Sequence, residues 1–136
     1  MKIYFSGKIR VGREHTEFCA SIINELRKYG QVLTEHLGDP NLYAKSSSRS
    51  ATDIYNEDMN WLRESDIVIA EVSHPSLGVG YEIGQAESLG KPVICFYKPE
   101  EGKKLSTMIA GNKYTKVYEY KNLEDIAKNL EKELQK

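Results

Sequence analysis

Two carboxylates draw attention because of the residues around them. At about 100° per residue, Asp58 falls on a helical arc with Ile54, Trp61 and Leu62, while Glu57, Asn60, Arg63 and Glu64 share the other side. A carboxylate on an apolar face must be paired, hydrogen-bonded or protonated, because burying it alone and ionised is very costly. Asp58 is therefore either a structural acceptor for a nearby loop or a catalytic acid or base with a raised pKa. Glu82 follows the segment Pro75 to Tyr81, which places it in the expected first turn of a helix entered from a strand end. Free backbone N–H groups and the helix dipole there favour the charged form. Glu82 reads either as an ordinary first-turn glutamate or as a low-pKa group in a cleft. Gly78 and Gly80 on either side of Val79 suggest backbone that turns tightly or approaches a ligand closely. One low-pKa and one raised-pKa carboxylate in a single cleft are the parts that glycosidic bond cleavage uses.

A third feature is the loop Ser6 to Arg13, with Gly7, Gly12, a hydroxyl and the cations Lys8, Arg10 and Arg13 ahead of a predicted helix. It reads as a solvated basic loop or as an anion cradle at a helix N-terminus. It is neither a P-loop nor a GxGxxG fingerprint, so generic triphosphate or dinucleotide binding is not supported. His15, His36 and His74 show no metal-ligand spacing, and no metal or cofactor is expected. His36 stands at a predicted strand end where a ligand can be met, and His15 reads as a surface residue. No GxSxG elbow occurs, which argues against a serine hydrolase.

The elements that must position these groups alternate along the chain. Strands are expected at Lys2 to Ser6, Gln31 to Leu37, Asp66 to Val72, Pro92 to Tyr97 and Lys116 to Tyr120. Helices are expected from Arg13 to Tyr29, from a Thr52 or Asp53 cap to Ser65, from Tyr81 to Leu89 ahead of Gly90, and from Leu123 onward. Gly38 to Ser50 reads as a loop, and Leu105 to Ile109 as a helical turn. Five strands interleaved with helices predict a three-layer α/β sandwich, a five-stranded parallel flavodoxin- or Rossmann-like sheet with helices on both faces, in a single domain over 1–136. In such sheets ligands bind beyond the carboxyl ends of the strands, where Glu82 and the first loop fall.

Composition narrows the function classes. The 136 residues carry 19 Lys and Arg against 20 Asp and Glu, a formal charge of −1, which argues against a nucleic-acid backbone binder. Two cysteines, Cys19 and Cys95, exclude a disulfide framework and read as inert core residues. No apolar run approaches the roughly 20 residues of a membrane span, and the N-terminal segment lacks an apolar signal region. A cytoplasmic protein is expected.

Three segments taken together, YFSGKIRVGR from Tyr4, DMNWLRESDIVIAEV from Asp58 and PSLGVGYEIGQA from Pro75, resemble the 2'-deoxynucleoside 5'-phosphate N-hydrolases, relatives of the nucleoside 2-deoxyribosyltransferases. LSTMIAG from Leu105 is a weaker fourth block. The resemblance implies that Glu82 is the nucleophile attacking the anomeric carbon of the deoxyribose, with Asp58 helping to donate a proton to the departing base or otherwise positioning it. It implies a 5'-phosphate held by the first loop, with Gly7, Lys8, Ile9 and particularly Arg10, together with Ser76; Gly78 also meets the substrate, and Tyr4 and His36 line the sugar and base pocket. It also implies a homodimer in which Ser106 reaches the neighbouring subunit's site. The family's first loop typically reads Gly-Ser-Ile-Arg-Gly-Gly-Arg; here Lys8 replaces the serine and Val11 a glycine. A lysine can meet a phosphate as a point charge. The expected activity is hydrolysis of deoxynucleoside 5'-monophosphates. The alternatives are a nucleoside 2-deoxyribosyltransferase, a ribonucleotide N-glycosidase and a non-catalytic nucleotide sensor.

Overall fold

The structure, a computed structural model, describes residues 1–8, 11–38 and 49–135. Its strands are β1 (Lys2–Ser6), β2 (Gln31–Val32), β3 (Ile67–Glu71), β4 (Val93–Tyr97) and β5 (Lys116–Glu119). Its helices are α1 (Arg13–Leu26), α2 (Ala51–Glu64), α3 (Leu77–Ser88), the short α4 (Thr107–Ala110) and α5 (Leu123–Leu134). The strands form one sheet in the order β2-β1-β3-β4-β5 with every pairing parallel.

Period-two alternation in the strands builds two cores, one on each side of the sheet. Ile3, Phe5, Ile69, Ile94 and Phe96 pack with Ile22, Ile23 and Leu26 of α1 and Ile126 and Leu130 of α5. Tyr4, Val68, Ala70, Val93 and Cys95 pack with Met59 and Leu62 of α2 and Val79, Ile83 and Ala86 of α3. The central strands β3 and β4 are buried along their whole length, as their unalternated apolar sequence requires. This is the expected three-layer α/β arrangement. No helix among the described residues is long and apolar enough to cross a membrane.

Local structure departs from the sequence pattern at three places. β2 pairs only at Gln31 and Val32 rather than running to Leu37. Thr34 turns its hydroxyl inward, accepting from Phe5 N at 2.9 Å and donating to Phe5 O at 2.7 Å, so a side chain satisfies the β1 edge that a longer strand would have paired. The chain then enters a 3-10 turn over Glu35–Gly38. α2 is capped by Ser50, whose Oγ accepts from Asp53 N at 3.1 Å, rather than by Thr52 or Asp53. α3 starts at Leu77, one turn earlier than Tyr81, with Ser76 Oγ accepting from Val79 N at 3.3 Å. Gly90 ends that helix region in the left-handed conformation (φ 72°). The predicted loop residues 39–48 lie outside the described residues.

Candidate active site

β1 carries two hydroxyls on the face that meets α2 and α3. Tyr4 and Ser6 are two residues apart, so the strand's alternation aims both side chains the same way, and both are buried. The Tyr4 hydroxyl donates to one oxygen of Glu82, and Ser6 Oγ donates to Glu82 Oε1 at 2.6 Å. A carboxylate on α3 is thereby gripped by two donors from one strand. Burial and the charges of Glu82 and Asp58 push the Tyr4 phenol far above its ordinary range, so it remains a protonated donor.

Glu82 itself corrects the sequence reading. The earlier helix start puts it in the second turn of α3, past the free N–H groups that were expected to stabilise its charge. Burial pushes its carboxyl above the usual range, and the bonds from Ser6 and Tyr4 oppose that push. The hydroxyls therefore do the work that the helix terminus was expected to do.

Asp58 projects from α2 and is only part-buried. Burial first, then the negative charge of Glu82 and that of Glu57, raise its pKa to about 7, with Arg49 pulling the other way. Arg49 is itself paired to Glu57 at 2.7 Å. The upward direction of the Asp58 shift matches the second of the two sequence readings of this residue, a carboxyl with a raised pKa. The hydroxyls of Tyr55 on α2 and Tyr81 on α3 lie 3.1 Å apart, joining the helices that carry the two carboxylates.

The remaining expected residues are distributed around this centre. His36, in the 3-10 turn after β2, sets its ring 5.3 Å from that of Trp61, one turn beyond Asp58 on α2. Gly7 and Lys8 follow Ser6 directly at the carboxyl end of β1, while Ile9 and Arg10 lie outside the described residues. Ser76 and Gly78 form the amino end of α3. Ser76 and Ser106 line a cavity of ≈ 490 Å³ with Leu77, Ile83 and Met108, and neither Asp58 nor Glu82 borders it. Within one chain, then, Ser106 is not brought to the carboxylates. The sequence reads Ser6 only as the hydroxyl of an anion cradle and not as a partner of Glu82; its position two residues after Tyr4 on a strand is the signal for that role.

Glu71 provides a contrast on the other face of the sheet. It is 2% exposed and accepts from Ser73 N (3.0 Å), Ser73 Oγ (2.5 Å) and the Tyr120 hydroxyl (2.7 Å). Its oxygens are occupied by structural donors, whereas Glu82 has two donors and a titratable neighbour across the cleft.

Comparison with known proteins identifies the family. The profile of the family described as Nucleoside 2-deoxyribosyltransferase matches residues 3–125. A 5-hydroxymethyl-dUMP N-hydrolase of Rattus norvegicus is 49% identical over 111 residues, covering 80% of this chain and 68% of the relative. A Nematostella vectensis protein, provisionally named 2'-deoxynucleoside 5'-phosphate N-hydrolase 1, is 45% identical over 136 residues, covering 95% of this chain and 92% of its own. The solved structure of a Clostridium botulinum CMP N-glycosidase superimposes with a TM-score of 0.67 over 98% of this chain and 100% of that one, at 18% identity. That last likeness is one of fold.

Proposed function

The chain belongs to the nucleoside 2-deoxyribosyltransferase family, and from that membership and the geometry at Glu82 we propose that it is an N-glycosidase of 2'-deoxynucleoside 5'-monophosphates. The observation that carries the reading is the grip of Tyr4 and Ser6 on Glu82 opposite an Asp58 that keeps its proton to about pH 7. Glu82 attacks C1' of the deoxyribose as the bond from C1' to the base nitrogen breaks, and the base leaves with the electron pair. Asp58 supplies the proton that the base takes up, which makes it a better leaving group. The glycosyl–Glu82 ester is then cleaved by water, whose proton Asp58 accepts. The products are the free base and 2-deoxyribose 5-phosphate, with both carboxyls restored to their starting states.

The substrate's phosphate is assigned to the carboxyl end of β1 and the amino end of α3. Gly7, Lys8, Ser76 and Gly78 supply backbone donors, a hydroxyl and a cation there, with Ile9 and Arg10 completing the loop. Tyr4 and His36 border the sugar and base. The names of the relatives make 5-hydroxymethyl-dUMP the first substrate to try.

We also assign a homodimer. Leu77 and Met108, 97% and 80% exposed, line the same cavity as Ser106, an apolar surface that a second copy would cover while delivering Ser106 to its site. The free, buried Cys19 and Cys95 suit a reducing compartment such as the cytoplasm.

The deciding experiment incubates the protein with 5-hydroxymethyl-dUMP, dGMP and the other common deoxynucleoside monophosphates, with GMP alongside and with free adenine as an acceptor. Release of base with formation of 2-deoxyribose 5-phosphate is expected. Transfer of the sugar to adenine would establish a transferase, faster cleavage of GMP a ribonucleotide glycosidase, and binding without release a sensor.

A further inference from the structure

A second cavity, of ≈ 670 Å³, opens on the α1 side of the sheet, and His15 and His74 both line it with Arg13, Ser73, Lys98 and Tyr120. The two imidazoles meet edge to face, with centroids 4.8 Å apart and planes at 84°. His15 is the third residue of α1, and His74 stands in the β3–α3 connection two residues before Ser76. The ring contact thus joins the start of α1 to the segment that caps α3.

His15 makes two further contacts. Its Nε2 lies 3.4 Å from Cys19 Sγ one turn along, and the backbone of Lys8 is close enough to influence its ring. Burial, and the neighbouring His74, hold its pKa below the usual histidine range against the pull of Glu71. At neutral pH the ring is uncharged, the state in which two imidazoles pack edge to face without repulsion. His74 is tethered in turn: the preceding Ser73 bonds Glu71 through N and Oγ, and its Oγ accepts from Lys98 N at 2.8 Å.

The need for such a tie follows from the sheet. The last register pair between β1 and β3 is Ser6 with Ala70, while Val72 N still continues the β3–β4 ladder at Phe96 O. Beyond that pair, the sheet no longer links the residues that follow β1 to those that follow β3. Lys8 follows β1 and Ser76 follows β3, and a phosphate that both contact requires them at a fixed spacing.

We propose that His15 and His74 are positioning residues for the phosphate end of the site: His15 holds Lys8 by its backbone, and the ring pair fixes the Ser76 segment against it. The inference rests on the proposed function only in taking a sugar phosphate as the ligand. Neither histidine touches the reacting carbon. Glu82 is held by β1 itself, so loosening the ring pair weakens binding and leaves the chemical step alone.

The test compares His15→Ala and His74→Ala with the unaltered protein, measuring KM and kcat for the best deoxynucleoside monophosphate. It also measures Kd for 2-deoxyribose 5-phosphate and for the phosphate-free deoxynucleoside by calorimetry. Both variants are expected to raise KM and the sugar-phosphate Kd about tenfold, equivalent to about 1.4 kcal/mol. The kcat and the deoxynucleoside affinity should stay within about twofold. His15→Gln, which keeps a hydrogen-bonding group beside the Lys8 backbone, should recover part of the loss. His74→Phe, which keeps an aromatic edge against His15, should bind nearly normally even if the alanine variants fail to fold. Unchanged sugar-phosphate binding in the alanine variants, or an equal loss for both ligands, or a tenfold loss in folded His74→Phe, overturns the proposal. Sugar-phosphate binding needs no turnover, so a protein that binds but releases no base would overturn the hydrolase reading while leaving this one standing.

Discussion

Glu82 and Asp58 stand on neighbouring helices, and the charge of Glu82 is the strongest ionic influence on Asp58. Tyr4 and Ser6 both donate to the Glu82 carboxylate and favour its ionised form against burial. Once ionised it opposes the ionisation of Asp58, which burial already disfavours. On the proposed function, the gripped group is the charged nucleophile and the group beside it the acid.

The first expectation is a pH profile whose two limbs have different owners. Base release should fall about tenfold per pH unit above pH 7, as Asp58 loses the proton it donates. It should also fall in acid, at a pH above the ordinary carboxylate value, as Glu82 is neutralised. Asp58→Asn should lower turnover by about 10²- to 10⁴-fold and abolish the alkaline limb. Glu82→Gln should cost on the order of 10³-fold or more. An alkaline limb that persists in Asp58→Asn would assign the acid to another group.

Tyr4→Phe and Ser6→Ala probe the grip on Glu82. Each removes a donor that favours the ionised carboxylate, so the acid limb should move to higher pH. Ser6 is fully buried, and losing its hydrogen bond should also cost about 1 kcal/mol of stability. Rate measurements across pH, beside thermal melts, separate these effects. A reduced rate with an unmoved acid limb would mean that the hydroxyls orient Glu82 without tuning it.

Much of this arrangement is legible in the sequence, and what is hidden has physical causes. The sheet declares itself in unbroken apolar runs such as Ile67 to Ala70, and Asp58 declares itself by interrupting a helical arc. The start of α3 is obscured by Gly78 and Gly80, poor helix formers that read as a turn. That displacement of one turn assigned Glu82 a helix-terminus environment and the wrong direction of pKa shift. Ser6 reads from sequence only as the hydroxyl of an anion cradle, because a serine at a strand end has no distinctive pattern until its neighbour across the cleft is known. The shortness of β2 comes from Thr34 satisfying Phe5, a contact between residues 29 apart in sequence that no local propensity encodes. His15 reads as a surface residue until His74, from another loop, is seen against it.

Function at Asp58 should carry a cost in stability that depends on pH. Its carboxyl titrates from 3.8 in the unfolded chain to about 7 when folded, so the folded state binds the extra proton. The stability this confers is complete below about pH 4 and is lost as pH rises through about 7. Asp58→Asn escapes that loss, so its stability relative to the parent should improve from pH 4 to pH 8. The gain should be ~1 to 2 kcal/mol, below the full linkage value because Asp58 is part-exposed and screened by solvent. Denaturant melts at pH 4, 6 and 8 measure it; a constant difference across that range would contradict a raised pKa.

The composite site can be tested by mixing two inactive proteins. Ser106 lines a cavity that neither carboxylate borders, and the exposed Leu77 and Met108 line it too. Sharing across a two-fold interface predicts that Ser106→Ala weakens substrate binding in the homodimer. Leu77→Asp, which places a charge in the apolar contact, should give a monomer by sedimentation and lose most activity. When Glu82→Gln and Ser106→Ala proteins are mixed and allowed to exchange subunits, half of the dimers are mixed. Each mixed dimer has one site with an intact Glu82 from one chain and an intact Ser106 from the other. Activity should therefore climb from near zero toward about a quarter of the unaltered protein's value, provided Ser106→Ala alone is severe. A mixture no more active than the sum of its parts would place Ser106 in the same subunit's site or outside it.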